Sequence, residues 1–126
     1  MIVGTGVELV DVPRFLRLME RHGERISRRV FTPGERAYAA RRTPRSAVQS
    51  LAVRFAAKVA ARRALGAQGV ALRDVEVVRA RGAAPTLQFH AGAAAQARAR
   101  GVLRAALTLT HDPVCCIGHV VLEGEP

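Results

Sequence analysis

A single stretch, residues 50–66, constrains the fold of this chain more than any other segment does. Apolar residues recur in it at four-residue spacing, at Leu51, Phe55 and Val59. Because Arg62 and Arg63 fall elsewhere on the same helical wheel, the spacing predicts a helix with separate apolar and basic faces. The helix is expected to begin near Ser46 and to end at Gly66, where a left-handed residue can terminate it.

Lys58, in the middle of this helix, is the only lysine in the chain. An ammonium is a compact charge that can lose its proton, whereas a guanidinium stays charged. Two interpretations are open for Lys58. It is a leftover lysine on a solvated helix face, which this segment alone favours, or it is present for its chemistry.

The length of 126 residues indicates one domain over residues 1–126, or one subunit of a small oligomer. Tryptophan is absent, and a core of small aliphatic side chains buries little area per residue, so association between subunits would add stability. No apolar run is long enough to cross a membrane, and the first residues lack the regions of a signal peptide. These features predict a cytoplasmic protein with no membrane partner.

The formal net charge of +10 indicates an anionic partner. The candidates are a nucleic acid, an anionic membrane surface, a phosphorylated small molecule and an acidic protein. Nucleic acid is disfavoured because the aromatic residues are expected in the core rather than interleaved with basic residues. The two cysteines, Cys115 and Cys116, are adjacent, which excludes a disulfide framework and indicates buried thiols on opposite faces of a strand.

The order of apolar and turn-forming segments predicts an α+β fold, in which a small antiparallel sheet packs with helices. Strands are expected at residues 1–10, 74–79, 86–90, 105–110 and 114–122. Helices are expected from Asp11, at residues 32–41, at residues 46–65 and at residues 91–100. Residues 66–73 are expected to form a loop.

The first strand carries two features that need a structural reason. Gly4 and Gly6 predict a close approach of another backbone segment or a β-bulge. Glu8 places a carboxylate in an apolar strand, where it is either exposed, which is favoured, or held for a charge or a metal ion.

Local signals mark two helix starts. Asp11 is expected to cap the first helix, and Thr32 with Glu35 forms a capping box for the second. In the first helix an apolar stripe is expected to face the core: Phe15, Leu18 and Met19. Its other side carries a basic face suited to an acidic protein: Arg14, Arg17, Arg21 and Arg25.

The signatures of several common enzyme classes are absent, including the Gly-x-Ser-x-Gly elbow, the Walker loop and His-Glu-x-x-His. Five collinear segments do carry a likeness: Ile2–Phe15, Arg29–Glu35, Arg54–Gly66, Asp74–Pro85 and Thr108–His111. In this order and at this spacing they resemble the holo-acyl-carrier-protein synthase family, the small phosphopantetheinyl transferases. The likeness runs through nearly the whole chain.

The resemblance implies a reaction and an assembly. In the family, a serine hydroxyl of an apo acyl carrier protein attacks the β-phosphate of coenzyme A, and 3′,5′-adenosine bisphosphate leaves. A divalent cation, usually Mg²⁺, bridges the diphosphate and stabilises the developing charge. Family members are homotrimers with active sites between subunits, and their acidic carrier proteins serve fatty acid or polyketide biosynthesis.

Carried over position by position, the resemblance implies roles for individual residues. Lys58 and Glu8 are expected to be catalytic, and Glu8 is also expected to bind the metal. Coenzyme A is expected to contact Arg54, Arg63, Gly66, Pro85, Thr108 and His111. The carrier protein is expected to contact Arg14, Arg21 and Arg25.

Two departures from the family pattern fall on the metal site. The family's first-strand aspartate is Glu8 here, and its glutamate after Ala-Ala-Lys is Val59, which predicts a weakened magnesium site. Glu8 alone with the diphosphate and waters is one way to hold Mg²⁺, and help from Asp112 or Glu35 is another. Losing an electrostatic or acid–base group commonly slows a reaction by about 10²–10⁴-fold.

Three hypotheses remain open at this point. The leading one is a Mg²⁺-dependent phosphopantetheinyl transferase that is slow or specialised for one carrier protein. The second, supported by Val59, is a non-catalytic member that binds a carrier protein or a synthase complex. The third is another reaction on a thioester-bearing partner that uses Cys115, Cys116 or His111, although their spacing does not support a Cys–His dyad.

Overall fold

The computed structural model describes residues 1–66 and 69–126. The chain has the predicted α+β architecture, and each predicted strand and helix is present within a few residues of its expected bounds. In chain order the elements are β1 (Ile2–Asp11), α1 (Val12–Val30), α2 (Pro33–Ala40), α3 (Pro44–Leu65), β2 (Val75–Val78), β3 (Thr86–Phe89), α4 (Ala91–Ala99), β4 (Arg104–His111) and β5 (Cys115–Glu123). Of the loop expected over residues 66–73, Ala67 and Gln68 lie outside the described residues, and a 3-10 turn at Leu72–Asp74 leads into β2.

The strands form two separate antiparallel sheets. The larger sheet has three strands in the order β1-β5-β4, and β2 pairs with β3 in the smaller one. Strand β5 is therefore central in the larger sheet, and β1 and β4 are its opposite edges. None of the described helices is long and apolar enough to span a membrane.

Helix α3 is the core of the molecule and is buried on nearly all sides. Between Leu51 and Ala61, every residue except Phe55 is buried. The expected division into an apolar and a basic face is wrong, because the larger sheet covers one side of α3 while α1, α2 and β2 cover others. A helix surrounded in this way needs no polar face over its buried turns.

Both ends of α3 are set by local capping. The helix begins at Pro44, two residues before the expected start, because the Thr43 side chain accepts a hydrogen bond from the backbone N–H of Ser46 at 3.3 Å. It ends at Gly66 as predicted, with a left-handed φ of 64°. Residues without a Cβ adopt this conformation at little cost.

Glycines in the sheet allow α3 to lie directly on the strands. A Cβ on Gly6 would sit 1.9 Å from the carbonyl oxygen of Ala60, and a Cβ on Gly118 would sit 2.7 Å from the α3 backbone. The strand pairing also shifts register between Ile2 and Gly4. Both reasons predicted for the glycines of the first strand, a close backbone approach and a bulge, are therefore confirmed.

We expect Gly6→Ala to destabilise the fold by about 3 kcal/mol, at the upper end of the usual cost of overpacking, because backbone atoms cannot rotate away. Urea denaturation followed by circular dichroism measures this loss. Gly23→Ala is the matched control, since a Cβ there would meet only the Met19 side chain at 3.7 Å. Equal losses in the two variants would show that the close approach is not the cause.

Helix α1 begins as predicted, with the Asp11 carboxylate accepting a hydrogen bond from the backbone N–H of Arg14 at 2.9 Å. Phe15 is buried and Met19 packs beside it against the core, as expected. Leu18 is 45% exposed, so the predicted stripe is wrong at this position. Phe15 and Met19 lie one helical turn apart on the core-facing side of α1. Leu18 lies next to that side and points partly to solvent.

The adjacent cysteines at the start of β5 differ in burial, as neighbours in a strand should. Cys116 is fully buried and Cys115 is half-buried, and both are free thiols. Burial raises the pKa of Cys116 to about 11, with smaller contributions from Cys115 and Asp112. The expectation of buried thiols is therefore correct for Cys116 and only partly so for Cys115.

Iodoacetamide at about pH 8 should modify Cys115 in the folded protein and spare Cys116, because the thiolate is the reactive form and burial suppresses it. Peptide mass spectrometry reads out both sites. Cys116 should react only after denaturant is added. Equal labelling of the two thiols in the native state would contradict the buried placement of Cys116.

Candidate active site

A cavity of about 510 Å³ opens between α2, α3, β4 and the β2–β3 connection. It brings together four of the residues that the resemblance implies for coenzyme A: Arg54, Pro85, Thr108 and His111. Tyr38, Arg42 and Arg79 also line it. Within the described part of the chain, no acidic side chain lines this cavity, so its positive charge is not offset locally. Such a cavity suits an anionic ligand.

Two guanidinium groups lie close to the Tyr38 ring in the cavity wall. The guanidinium carbon of Arg54 is 4.2 Å from the ring centroid, and that of Arg42 is 4.7 Å from it. Burial alone would raise the pKa of Tyr38, but the hydrogen bond from Arg42 and the charges of Arg42 and Arg54 outweigh it and lower the pKa. Arg54 is fixed further by a 2.7 Å hydrogen bond to the Ser50 hydroxyl. The stack holds two cations at defined positions.

Glu8 and Arg63 form a second cluster, at the opposite edge of the larger sheet. The Nη1 group of Arg63 donates to Glu8 Oε1 at 2.9 Å and to the Val7 carbonyl oxygen at 2.7 Å. The Glu8 side chain is 23% exposed, so the favoured expectation of an exposed carboxylate is wrong and the alternative of a charge partner is confirmed. Glu8 lies on edge strand β1 and His111 on edge strand β4, so the two clusters are separated by β5 within one chain.

Lys58 is fully buried, and its ammonium group has partners inside the fold. Its Nζ donates to Glu35 Oε1 at 2.6 Å and to the Val75 carbonyl oxygen at 2.5 Å. Burial lowers the pKa of Lys58, and the ion pair with Glu35 opposes that effect. The interpretation of a leftover lysine on a solvated face is wrong. Within one chain the Lys58 side chain has no exposed surface, and its expected position beside a bound diphosphate stays a prediction.

Glu35 uses both carboxylate oxygens inside the fold. Oε1 accepts from the backbone N–H of Thr32 at 2.9 Å, in addition to the Lys58 ammonium, and Oε2 accepts from the backbone N–H of Val77 at 2.8 Å. The predicted capping box is confirmed, and the same carboxylate also joins α2 to α3 and β2. Asp112 instead closes the β4–β5 turn by accepting two backbone hydrogen bonds, which lower its pKa. The expectation that Glu35 or Asp112 helps to hold a metal ion is therefore not supported.

A hydrogen-bonded chain that the sequence did not reveal runs from Thr32 to the surface. The Thr32 hydroxyl donates to Glu76 Oε2 at 2.7 Å, and Glu76 Oε1 lies 2.9 Å from Nε2 of His90. Burial alone would raise the pKa of Glu76, but these two hydrogen bonds outweigh it and lower the pKa. The alternation in residues 74–79 placed Glu76 on a strand, but no local signal identified partners so distant in sequence.

The donor set near Glu8 does not fit a resident divalent cation. Val59, at the position of the family's second carboxylate, is apolar and 7% exposed. Among residues 1–66 and 69–126, no three His, Cys, Asp or Glu side chains form a group that could hold a metal ion. Mg²⁺ prefers several oxygen ligands, and one oxygen of Glu8 already accepts a hydrogen bond from Arg63.

Comparison with known proteins identifies the family. The family profile described as the 4′-phosphopantetheinyl transferase superfamily matches residues 4–116. A holo-[acyl-carrier-protein] synthase of Solibacter usitatus is 43% identical, over 98% of this chain and 99% of the relative. The crystal structure of holo-[acyl-carrier-protein] synthase from Neisseria meningitidis covers 98% of this chain and 99% of its own, with 27% identity and a TM-score of 0.88. A holo-(acyl-carrier-protein) synthase from Bacillus anthracis, in complex with CoA (3′,5′-ADP), covers 99% of both chains with 25% identity and a TM-score of 0.81. The chain therefore belongs to the 4′-phosphopantetheinyl transferase superfamily.

Proposed function

We propose that this chain transfers 4′-phosphopantetheine from coenzyme A to a serine of an apo acyl carrier protein. The full-length relatives named holo-acyl-carrier-protein synthase support this activity, as does the similar structure bound to CoA (3′,5′-ADP). In the reaction, the serine oxygen bonds to the β-phosphorus, and the bond from that phosphorus to the bridging oxygen breaks. The serine proton passes to solvent, and 3′,5′-adenosine bisphosphate leaves.

The observation that carries the proposal is the basic cavity, which is lined by no acidic side chain from residues 1–66 and 69–126. Coenzyme A brings a diphosphate and a 3′-phosphate, and Arg54, Arg42, Arg79 and His111 face a common space in which these groups can be held. Negative charge grows on the leaving bisphosphate as the bond breaks. Cations fixed before the reaction stabilise that charge without reorganising. In this proposal Pro85 and Thr108 shape the wall against the nucleotide.

We propose that a complete site forms between copies of the chain, in a homotrimer. Glu8 and Arg63 lie at the β1 edge, whereas His111 lies at the β4 edge, so only a neighbouring copy can bring the two sides together. The outer face of β1 also exposes Val7 by 54% and Leu9 by 59%. Apolar side chains in a row on an uncovered sheet face favour burial against another subunit.

The docking surface for the carrier protein is proposed to be α1. Arg14, Arg21 and Arg25 are all exposed on this helix. An acidic carrier would be attracted to them and oriented before the serine reaches the cavity. Fatty acid or polyketide biosynthesis and a cytoplasmic location remain predictions that accompany this function.

We propose that this chain can contact Mg²⁺ only when coenzyme A is bound. Of the residues that the structure describes, only Glu8 is offered to a metal ion here. Any divalent ion would therefore need the diphosphate and water as its other ligands, and would compete with Arg63 for the Glu8 oxygen. No step of the proposed transfer is therefore assigned to a metal. Gly66 ends α3 outside the cavity, so its expected contact with coenzyme A also depends on a neighbouring copy.

Intact-protein mass spectrometry of an apo acyl carrier protein tests the proposed activity. Incubation with this protein and coenzyme A should add one phosphopantetheine group, and a carrier whose acceptor serine is replaced by alanine should gain nothing. Assays with and without Mg²⁺ should be run in parallel. If no carrier protein gains the group under either condition, the transferase proposal fails.

A non-catalytic binding role is the second candidate, and the buried Val59 side chain is the observation that favours it. A module of this kind would bind the carrier protein through α1 without turnover. Binding of apo carrier protein in a pull-down, together with an unchanged carrier mass after long incubation with coenzyme A, would support this role over the transferase.

A further inference from the structure

We infer that Arg63 supplies the positive charge for the diphosphate at the Glu8 edge of the site, in place of a divalent cation. This inference rests on the proposed function, because it concerns how the same site holds coenzyme A. Its basis is the contact between Arg63 and Glu8 at 2.9 Å, together with the buried Val59 at the position where the resemblance implies a second carboxylate.

The helix register places the relevant side chains together. Val59 and Arg63 are four residues apart in α3 and therefore lie on the same side of the helix. Glu8 on β1 faces this side, as its ion pair with Arg63 demonstrates. The formal charges of Glu8, Val59 and Arg63 sum to zero. A doubly charged ion placed on Glu8 would lack a second carboxylate and would lie beside a guanidinium that repels it.

The Arg63 guanidinium is anchored on one side and open on the other. Nη1 is held by Glu8 and by the Val7 carbonyl oxygen, while the side chain as a whole is 56% exposed. Among the described residues, its Nη2 and Nε groups make no hydrogen bond. A planar guanidinium with free N–H groups can bind phosphate oxygens in a bidentate manner, and the anchors reduce the entropy lost on binding.

Calorimetric titration of coenzyme A into the whole protein, in chelator and in Mg²⁺, tests the inference. Affinity in chelator should stay within about twofold of the affinity in Mg²⁺, and Arg63→Ala should weaken binding by about 10- to 100-fold, the range for one charge-assisted contact. Arg62→Ala removes the same charge from the neighbouring, half-buried position of α3 and should change affinity by less than about twofold, since Arg62 makes no ion pair with Glu8 among the described residues and a charge at a distance is screened.

A second measurement uses Mn²⁺ as a spectroscopic probe. Electron paramagnetic resonance should detect no Mn²⁺ bound to the wild-type protein in the absence of coenzyme A. The double variant Val59→Glu, Arg63→Ala restores a carboxylate pair and removes the competing guanidinium, so it should bind the ion.

The outcomes separate the inference from the function. If the affinity of the wild-type protein for coenzyme A falls by more than about tenfold in chelator, the loss is larger than a weak ion contact can explain. This result overturns the role of Arg63 but leaves the transferase proposal standing. Tight Mn²⁺ binding to the wild-type protein alone has the same meaning. Absence of coenzyme A binding under both conditions overturns the inference and the proposed function together.

Discussion

Lys58→Met will lower the free energy of unfolding by about 3–5 kcal/mol, the usual cost of removing one partner from a buried ion pair. Lys58 and Glu35 are both fully buried, with 2.6 Å between Nζ and Oε1. Methionine fills much of the same volume but leaves the Glu35 carboxylate without its counter-charge. The Val75 carbonyl oxygen loses a donor as well, which adds an unsatisfied polar group to the core.

Urea denaturation of Lys58→Met, of Glu35→Gln and of the variant that combines them measures the effect. Glu35→Gln combined with Lys58→Met removes both charges, so this variant should be more stable than Lys58→Met alone. Arg62→Met is the matched control on the same helix. Because Arg62 is not part of the buried pair, we expect its loss to cost less than about 0.5 kcal/mol.

The same experiment separates a structural lysine from a catalytic one. If Lys58 acts only through the fold, the population of Lys58→Met that remains folded at low temperature should still bind coenzyme A. A variant with wild-type stability and no coenzyme A binding would instead place the ammonium against the substrate, and would contradict the buried pair as its main role.

The features that could be read from the sequence are those fixed by local contacts. The caps at Asp11 and Thr32 and the left-handed Gly66 each depend on residues within four positions, so their types and spacing are sufficient. The strand bounds followed from alternation for the same reason. The face of α1 was harder to predict, because Leu18 and Met19 have similar hydropathy and only the packing partner decides which of them is buried.

The features that could not be read depend on contacts between distant segments. Glu35 and Lys58 are 23 residues apart, and Glu8 and Arg63 are 55 apart. The sequence drew attention to Glu8, Glu35 and Lys58 one by one, but no local pattern showed which charge each of them pairs with. The burial of α3 on all sides follows from the number of elements packed around it, and helical periodicity cannot show how many neighbours a helix has.

The resemblance supplied what spacing alone could not. Arg54, Pro85, Thr108 and His111 come from three separate segments, and the structure places them around one cavity. The same resemblance also led to Lys58 as a group near the diphosphate, although here its ammonium lies in the core. The role of a residue depends on its burial as well as on the motif that contains it. The same residue type at the same motif position is therefore not enough to assign a role.

Mixed assemblies of Glu8→Ala and His111→Ala will regain activity that neither variant has alone. Each single substitution removes a charged or proton-bearing group from one side of the proposed site, which should cost about 10²-fold or more in rate. The Glu8 side chain is 23% exposed and His111 is exposed, so neither belongs to the core and the fold should survive either change.

The recovery has an expected size. When the two variants are co-expressed in equal amounts, a site between copies receives an intact β1 edge half of the time and an intact β4 edge half of the time. About a quarter of the sites are then complete, so the mixture should show about a quarter of wild-type activity in the carrier-protein mass assay. Co-purification of one untagged variant with the other carrying an affinity tag checks that mixed assemblies form.

A matched control uses two substitutions on the same side. Arg54→Ala mixed with His111→Ala should not recover, because both residues line the same cavity within one chain and every cavity in the mixture carries one of the two defects. Recovery in this control would contradict the placement of Arg54 and His111 in one cavity of one chain. No recovery in the Glu8→Ala mixture despite mixed assembly would mean that each chain holds a complete site. The opposite sheet edges would then have to meet by a change within the chain, against the order β1-β5-β4 that keeps them apart.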